Sequence, residues 1–245
     1  MARKELIRLS RVSKYYYMGD SVVKALDDMT FKVYEGEFIA LMGPSGSGKS
    51  TAMNLIGSLD IPTKGTVYLD SQDISKFTES ELAQVRGKRI GFIFQSFNLI
   101  SNLTAKENVM LPMMFLGVEE DEREEKAEKL LKQVELMDRM DHYPNQLSGG
   151  QMQRVAIARS LANDPEVILA DEPTGNLDTK SGNNIMDFLD KLNREGKTII
   201  MITHEPELAK KHADVIYWLI DGKLDNVTKN GRRLLGKKKK STRKK

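Results

Sequence analysis

The chain of 245 residues is 40% hydrophobic and 30% charged, with a formal charge of +3 and no cysteine. That length can bury a sizeable core in one or two domains. The missing thiols exclude disulfide scaffolds, thiolate zinc sites and cysteine nucleophiles together. The charge is uneven: residues 229–245 hold ten bases and no acid, so residues 1–228 set 28 bases against 35 acids, a net of −7. A net acidic body argues against a broad nucleic-acid surface, and no specific nucleic-acid partner is expected. No run of 18 apolar residues is present, so no membrane-spanning helix is expected. The opening MARKELIRLS lacks the apolar core of a secretory signal, which points to a cytoplasmic location.

The first apolar run reads as a strand at 38–43 (FIALMG) and feeds Gly43, Pro44, Ser45, Gly46, Ser47, Gly48, Lys49 and Ser50, then a helical pattern at 49–58. This is the spacing G-x-x-x-x-G-K-[ST] in the strand-to-helix setting that confirms it. Its glycines let backbone amides curl round phosphates, and the helix N-terminus adds positive potential. Lys49 is expected to reach the β- and γ-phosphates, and the Ser50 hydroxyl to bind Mg²⁺. Strands follow at 66–70 (TVYLD) and 90–94 (IGFIF), the latter delivering Gln95 to its carboxyl end. A neutral amide there can orient water or complete a metal shell.

Between Gln95 and Asp164 the texture turns helical, with no strand expected. Thr104 to Glu107 and Ser148 to Gln151 both have capping-box spacing, in which two orphan amides are satisfied reciprocally. The run 119–132, dense in acids and then lysine, reads either as a solvated helix face with i,i+4 pairs or as a partner-binding patch. Ser148, Gly149, Gly150 and Gln151 open a helix whose first turn exposes amides to an anion. Two anion-competent helix starts, widely separated, could grip one phosphate from opposite sides if two copies met face to face.

The strand at 166–170 (EVILA) ends in Asp171 and Glu172. Ligands of open α/β sheets sit beyond the carboxyl ends of strands, so Asp171 is expected in the metal shell and Glu172 on the attacking water. A helix at 179–194 stops near Gly196, where glycine tolerates the left-handed conformation. A strand at 197–203 delivers His204, which by itself reads as either structural or functional, and a last strand is expected at 214–220. Alternating strands and helices imply an α/β fold with a mostly parallel sheet. Residues 229–245 have too little apolar area to offset ordering and are expected to be disordered. They read as a solvated tail, as an attractor of anionic lipid or, third, as a nucleic-acid contact.

Taken together, GPSGSGKST (43–51), the LSGGQ run (147–151), VILADE (167–172) and His204, in that order, resemble the nucleotide-binding subunit of an ABC transporter. The resemblance covers residues 5–225. It implies a phosphate-loop core with a small antiparallel N-terminal β region over 1–95, a helical subdomain over 96–163, the rest of the core over 164–228, and the tail. It implies that Thr51 joins the phosphate site, that Gln95 is the glutamine loop, and that Gly175 to Asp178 form the loop across the dimer. It makes His204 the switch histidine and Tyr16 the adenine-stacking residue, with Tyr15 and Tyr17 as alternative registers. It further implies a homodimer holding two ATPs, Mg²⁺ as cofactor, and integral membrane permease subunits on the inner face of the cell membrane. Met110, Pro112, Met113, Met114 and Phe115 could border a groove for a permease helix or be core.

The runs FIFQSFNLI, ENVMLP, YPNQLSGGQMQRVAIARSLA and DEPTGNLD are similar to the lipoprotein-release and macrolide-export subgroup. Among other classes, a soluble assembly ATPase fits the length, a kinase would lack Ser148 to Gln151, and a GTPase would need an N-K-x-D motif that is absent.

Overall fold

The structure is a computed structural model that describes residues 3–19 and 21–229. The expected tail lies outside the described residues except for Lys229, which ends a strand. The chain opens with two long strands, β1 (Glu5–Met18) and β2 (Ser21–Tyr34), then β3 (Phe38–Met42), α1 (Lys49–Ile56), β4 (Lys64–Leu69), β5 (Gln72–Asp73), α2 (Glu79–Arg89) and β6 (Ile90–Ile93). Helices α3 (Ala105–Met114), α4 (Glu120–Gln133) and α5 (Gly149–Ser160) follow. The chain then alternates through β7 (Val167–Asp171), α6 (Thr179–Arg194), β8 (Thr198–Ile202), α7 (Pro206–His212), β9 (Val215–Ile220) and β10 (Lys223–Lys229).

One sheet runs β10-β9-β3-β8-β7-β6 and is parallel except for β10; the other, β2-β1-β4-β5, is antiparallel. Alternation along the central strands divides the side chains between two cores, as successive residues of a strand point to opposite faces. Phe38, Ala40 and Met42 join Ile168, Ala170, Ile199 and Met201 on the face covered by α3, α4, α5 and α6. Ile39 and Leu41 join Val167, Leu169, Ile200 and Ile202 on the face covered by α1 and the antiparallel sheet. Burial on both faces explains why these strands are continuously apolar.

All six expected strands and both helices flanking the site are present, within two residues at each end. The hairpin of β1 and β2 was legible only as a small β region, because register shifts along β1 break the two-residue period. Strand β10 is an edge with mostly exposed side chains, so it carries no apolar pattern to read.

The helical segment shares the first core rather than forming its own. Ala105, Val109 and Met113 lie four apart on α3 and are fully buried, so Met113 is a core residue and cannot border a partner groove. Met114 and Phe115 are exposed, and Met110 is half-buried against the core. Helix α4 buries Ala127, Leu130 and Leu131 and pairs Glu125 with Lys129 at 2.5 Å on its outer face, the solvated-face reading of that run. Both expected capping boxes form, at Thr104 and Ser148.

Asn108 explains the asparagine of ENVMLP. It is fully buried, its Oδ1 accepts from the Ile100 amide at 2.8 Å, and its Nδ2 donates to the carbonyls of Ile100, Leu103 and Thr104 at 3.1, 3.0 and 2.9 Å. One side chain therefore closes the loop between Gln95 and α3. Asn108→Leu would strand those backbone groups and should destabilise the protein by about 2–4 kcal/mol in urea unfolding; an unchanged midpoint would show that the loop closes without it.

Candidate functional site

The parallel register places three loops side by side at the carboxyl edge of the sheet. Leu41 of β3 pairs with Ile202 of β8, and Ile202 pairs with Asp171 of β7. The loops leaving those strands are the glycine loop, the turn at Glu172 and the turn at His204. They surround a cleft of about 610 Å³ that Gly43, Pro44, Ser45, Gly46, Gly48, Lys49, Ser50, Thr51, Gln95, Asp171, Glu172 and His204 line, with Val23, Lys24 and Ala25 at its rim.

Two glycines are required by close approach. A Cβ on Gly43 would overlap the carbonyl oxygen of Leu219, and one on Gly48, which caps α1 with φ of 95°, would overlap the carbonyl oxygen of Ala25. The loop is thus wedged between β9 and β2, and no side chain caps the first turn of α1. Its orphan amides face the cleft, where the helix dipole favours an anion. Lys49 Nζ donates to the carbonyls of Gly43 at 2.9 Å and Pro44 at 2.8 Å, inside the loop. Burial pulls its pKa down, while Glu172 and Asp171 act in the opposite direction. Ser47 is turned beneath the loop, its side chain buried.

Glu172 sits in the left-handed region, with φ of 43°, a conformation that persists in a non-glycine residue only where its surroundings over-determine it. Its amide donates to the Ile202 carbonyl at 3.0 Å, and His204 Nδ1 lies 3.0 Å from its Oε1. Asp171 is half-buried; desolvation, then the charge of Glu172, pushes its pKa up, with Lys49 opposing. Ser50, Gln95 and Asp171 present a hydroxyl, an amide and a carboxylate to the same space, a set of hard oxygen donors that fits Mg²⁺. No group of three or more acidic, histidine or cysteine ligands occurs among the described residues.

Other expected residues stand apart. Ser148 Oγ accepts from the Gln151 amide at 3.3 Å and the Ser148 amide donates to Gln151 Oε1 at 2.8 Å, so both side chains are engaged in capping α5. Gly149 and Gly150 face Asn176, Leu177 and Ser181 of the same chain and do not line the cleft. Asp178 caps α6, accepting from the amides of Lys180 and Ser181 at 3.0 Å. The three tyrosines separate clearly. Tyr15 reaches Asp27, and Tyr17 is exposed. Tyr16 donates to Asp60 Oδ2 at 3.0 Å and meets the hydroxyl of Thr51, which lines the cleft. Burial and then Asp60 push the Tyr16 pKa up.

Three side chains whose own contacts the sequence leaves unmarked hold the site together. Asn176 Nδ2 donates to the Gln95 carbonyl at 2.9 Å, and Gln153 Nε2 donates to the Pro173 carbonyl at 2.7 Å, next to Glu172. Arg159 holds the residues after Gln95. Each contact joins a side chain to a backbone carbonyl far along the chain, a pairing that leaves no periodic trace in a sequence.

The sequence profile of the family described as "ABC transporter" matches residues 26–175. This chain belongs to the ABC transporter family. An uncharacterized ABC transporter ATP-binding protein of Thermotoga maritima is 49% identical over 228 residues, 93% of this chain and 97% of that protein. The macrolide export ATP-binding/permease protein MacB of Brucella melitensis is 48% identical over 94% of this chain but only 35% of its own length. A dimeric structure of a post-hydrolysis state of the cassette MJ0796, bound to ADP and Pi, superposes with a TM-score of 0.85 at 47% identity, covering 91% of this chain and 98% of that one. The cassette is an ATP-binding ATPase of a transporter with a phosphate-loop α/β fold.

The cleft of this ATPase carries a stability penalty. Because the folded state raises the Asp171 pKa, folding favours its protonated form, and that stability is lost as pH rises from the unfolded value through the raised folded one. Above that window the ionised carboxylate is a burden on the nucleotide-free cassette. Asp171→Asn should therefore raise the thermal midpoint of the nucleotide-free protein at neutral pH, most clearly relative to wild type as pH increases, and lose Mg²⁺-dependent turnover. A lower midpoint would show the charge to be stabilising.

Proposed function

We propose that two copies of this cassette hydrolyse two ATPs at a shared face and drive an integral membrane permease with the resulting motion. The observation that carries this reading is the separation of the two anion-competent helix starts. Lys49, Ser50, Gln95, Asp171, Glu172 and His204 converge on one cleft, whereas Ser148, Gly149 and Gly150 lie outside it. A second copy would bring its α5 start to the open side of the first copy's phosphates, with Asp178 beside it. The dimeric MJ0796 structure supports the same reading by similarity.

In this scheme the amides of Gly43 to Ser50 and the Lys49 ammonium hold the β- and γ-phosphates, Thr51 continues the first turn, and Tyr16 stacks on adenine. Ser50, Gln95 and Asp171 would hold Mg²⁺, which would neutralise phosphate charge. Glu172 accepts a proton from water as its oxygen bonds to the γ-phosphorus. The bond to the bridging oxygen breaks, its electron pair leaves with ADP, and inorganic phosphate is released. His204 keeps the Glu172 carboxylate aimed and contacts the γ-phosphate.

Residues 96–163 act as the helical subdomain between nucleotide and permease. A gap of about 250 Å³ between this segment and the core is lined by Arg86, Phe92, Phe94, Pro112 and Asn163, and the same segment exposes Ile100, Met114 and Phe115. We assign it to a cytoplasmic segment of the permease. MacB joins ATP-binding and permease functions in its name, which supports a permease partner and an export or lipoprotein-release role at the cytoplasmic face of the membrane. The bases of 229–245 would add attraction to anionic lipid, roughly 1 kcal/mol for each base near the surface.

Glu172→Gln keeps the side chain's shape and removes its basicity. It should bind ATP normally, hydrolyse it roughly 10²–10⁴-fold more slowly, and elute as an ATP-dependent dimer in size-exclusion chromatography. Near-normal phosphate release would remove Glu172 from this role, and a persistent monomer would remove the shared site.

A further inference from the structure

Two consecutive residues after Gln95 adopt left-handed backbone, Phe97 with φ of 61° and Asn98 with φ of 50°. Such a pair of non-glycine residues persists only where the surroundings hold it. Arg159, near the end of α5, supplies the hold: Nη1 donates to the Asn98 carbonyl at 2.5 Å and Nη2 to the Phe97 carbonyl at 2.8 Å. The guanidinium is substantially buried, its two hydrogen bonds go to uncharged carbonyls, and desolvation pulls its pKa down. Burying a cation without an anion is costly, so the two carbonyls are its compensation. A planar fork with fixed donors suits two neighbouring oxygens in a way that a lysine's single ammonium does not.

The same residue pair touches the other end of the helix. A Cβ on Gly149 would lie 3.8 Å from Phe97 Cζ, so the phenyl ring rests against the glycine-bearing start of α5. The Phe97 carbonyl is gripped by Arg159 and its ring by the start of the same helix. The loop that delivers Gln95 is thereby attached to α5 along most of the helix. Asn98 and Arg159 also line the gap between the helical segment and the core, so an occupant of that gap would meet the clamp directly.

We propose that Arg159 is a positioning residue for Gln95: its guanidinium fixes the left-handed turn at Phe97 and Asn98, so the Gln95 amide enters the cleft in step with movements of α5. This rests on the assignment of Gln95 to the metal and water site. Arg159 is not among the residues that line the nucleotide cleft. It acts by making the glutamine loop and the helix start at Ser148 one mechanical unit, a contiguous packed path of the kind that carries coupling between sites.

The test is a double-mutant cycle on the purified full chain, with turnover measured at saturating ATP over a Mg²⁺ titration. Arg159→Met keeps the aliphatic stem and deletes every donor. We expect it to lower kcat about tenfold and raise the Mg²⁺ requirement, with KM for ATP moving by less than about twofold. Adding it to Gln95→Ala should cost nothing further, and Arg159→Lys should recover part of the loss by restoring one donor nitrogen. Should the Met variant fail to fold, the cycle with Arg159→Lys gives the same reading. Losses that add in the double variant, or a change in KM with kcat intact, would overturn the inference while leaving Gln95 in its role. A silent Gln95→Ala would remove that role and this inference together.

Discussion

The register of three parallel strands is the constraint on which the site depends. Leu41 pairs with Ile202, and Ile202 with Asp171, so segments more than a hundred residues apart end at one height. Sliding any of these strands by one residue would exchange its two faces, turning Ile200 and Ile202 toward the helices and Ile199 and Met201 toward the antiparallel sheet. Two cores of different shape thus police the register, and the register sets the spacing of Lys49, Glu172 and His204. Chemistry at the edge is a consequence of packing in the middle.

That arrangement is not the most stable one available to the chain. A half-buried carboxylate beside a second one, a partly desolvated ammonium, and a left-handed glutamate are all concentrated within one cleft. Each is the sort of local expense that persists at functional sites because the surrounding structure over-determines it. The antiparallel sheet and α1 contribute that support from one side, and the continuous helical core from the other. A phosphate-bearing ligand with its cation would relieve the same charges, so binding and local stabilisation coincide in this ATPase.

Helix α5 occupies the middle of this economy. Its start carries Ser148 and two glycines, its second turn places Gln153 on the carbonyl next to Glu172, and its last turn places Arg159 on the loop after Gln95. The helix that would serve the other copy's nucleotide therefore also holds both loops that would handle water in its own copy. A cassette that works in this way would need no long relay between those two faces, because both contact one helix.

The sequence by itself determined the phosphate loop, the acids at 171 and 172, the strand ends at Gln95 and His204, both capping boxes, and the α/β class. These features are local: each is written in a few adjacent residues or in a two- or four-residue period, and local chemistry survives in a string of letters. Tertiary structure alone decided which tyrosine meets Thr51, that Met113 belongs to the core, that Asp178 is occupied as a cap, and that Asn108, Asn176, Gln153 and Arg159 bind backbone carbonyls. A backbone carbonyl is the same group in every residue, so nothing in the sequence marks which one a distant side chain will find until the fold brings the two together.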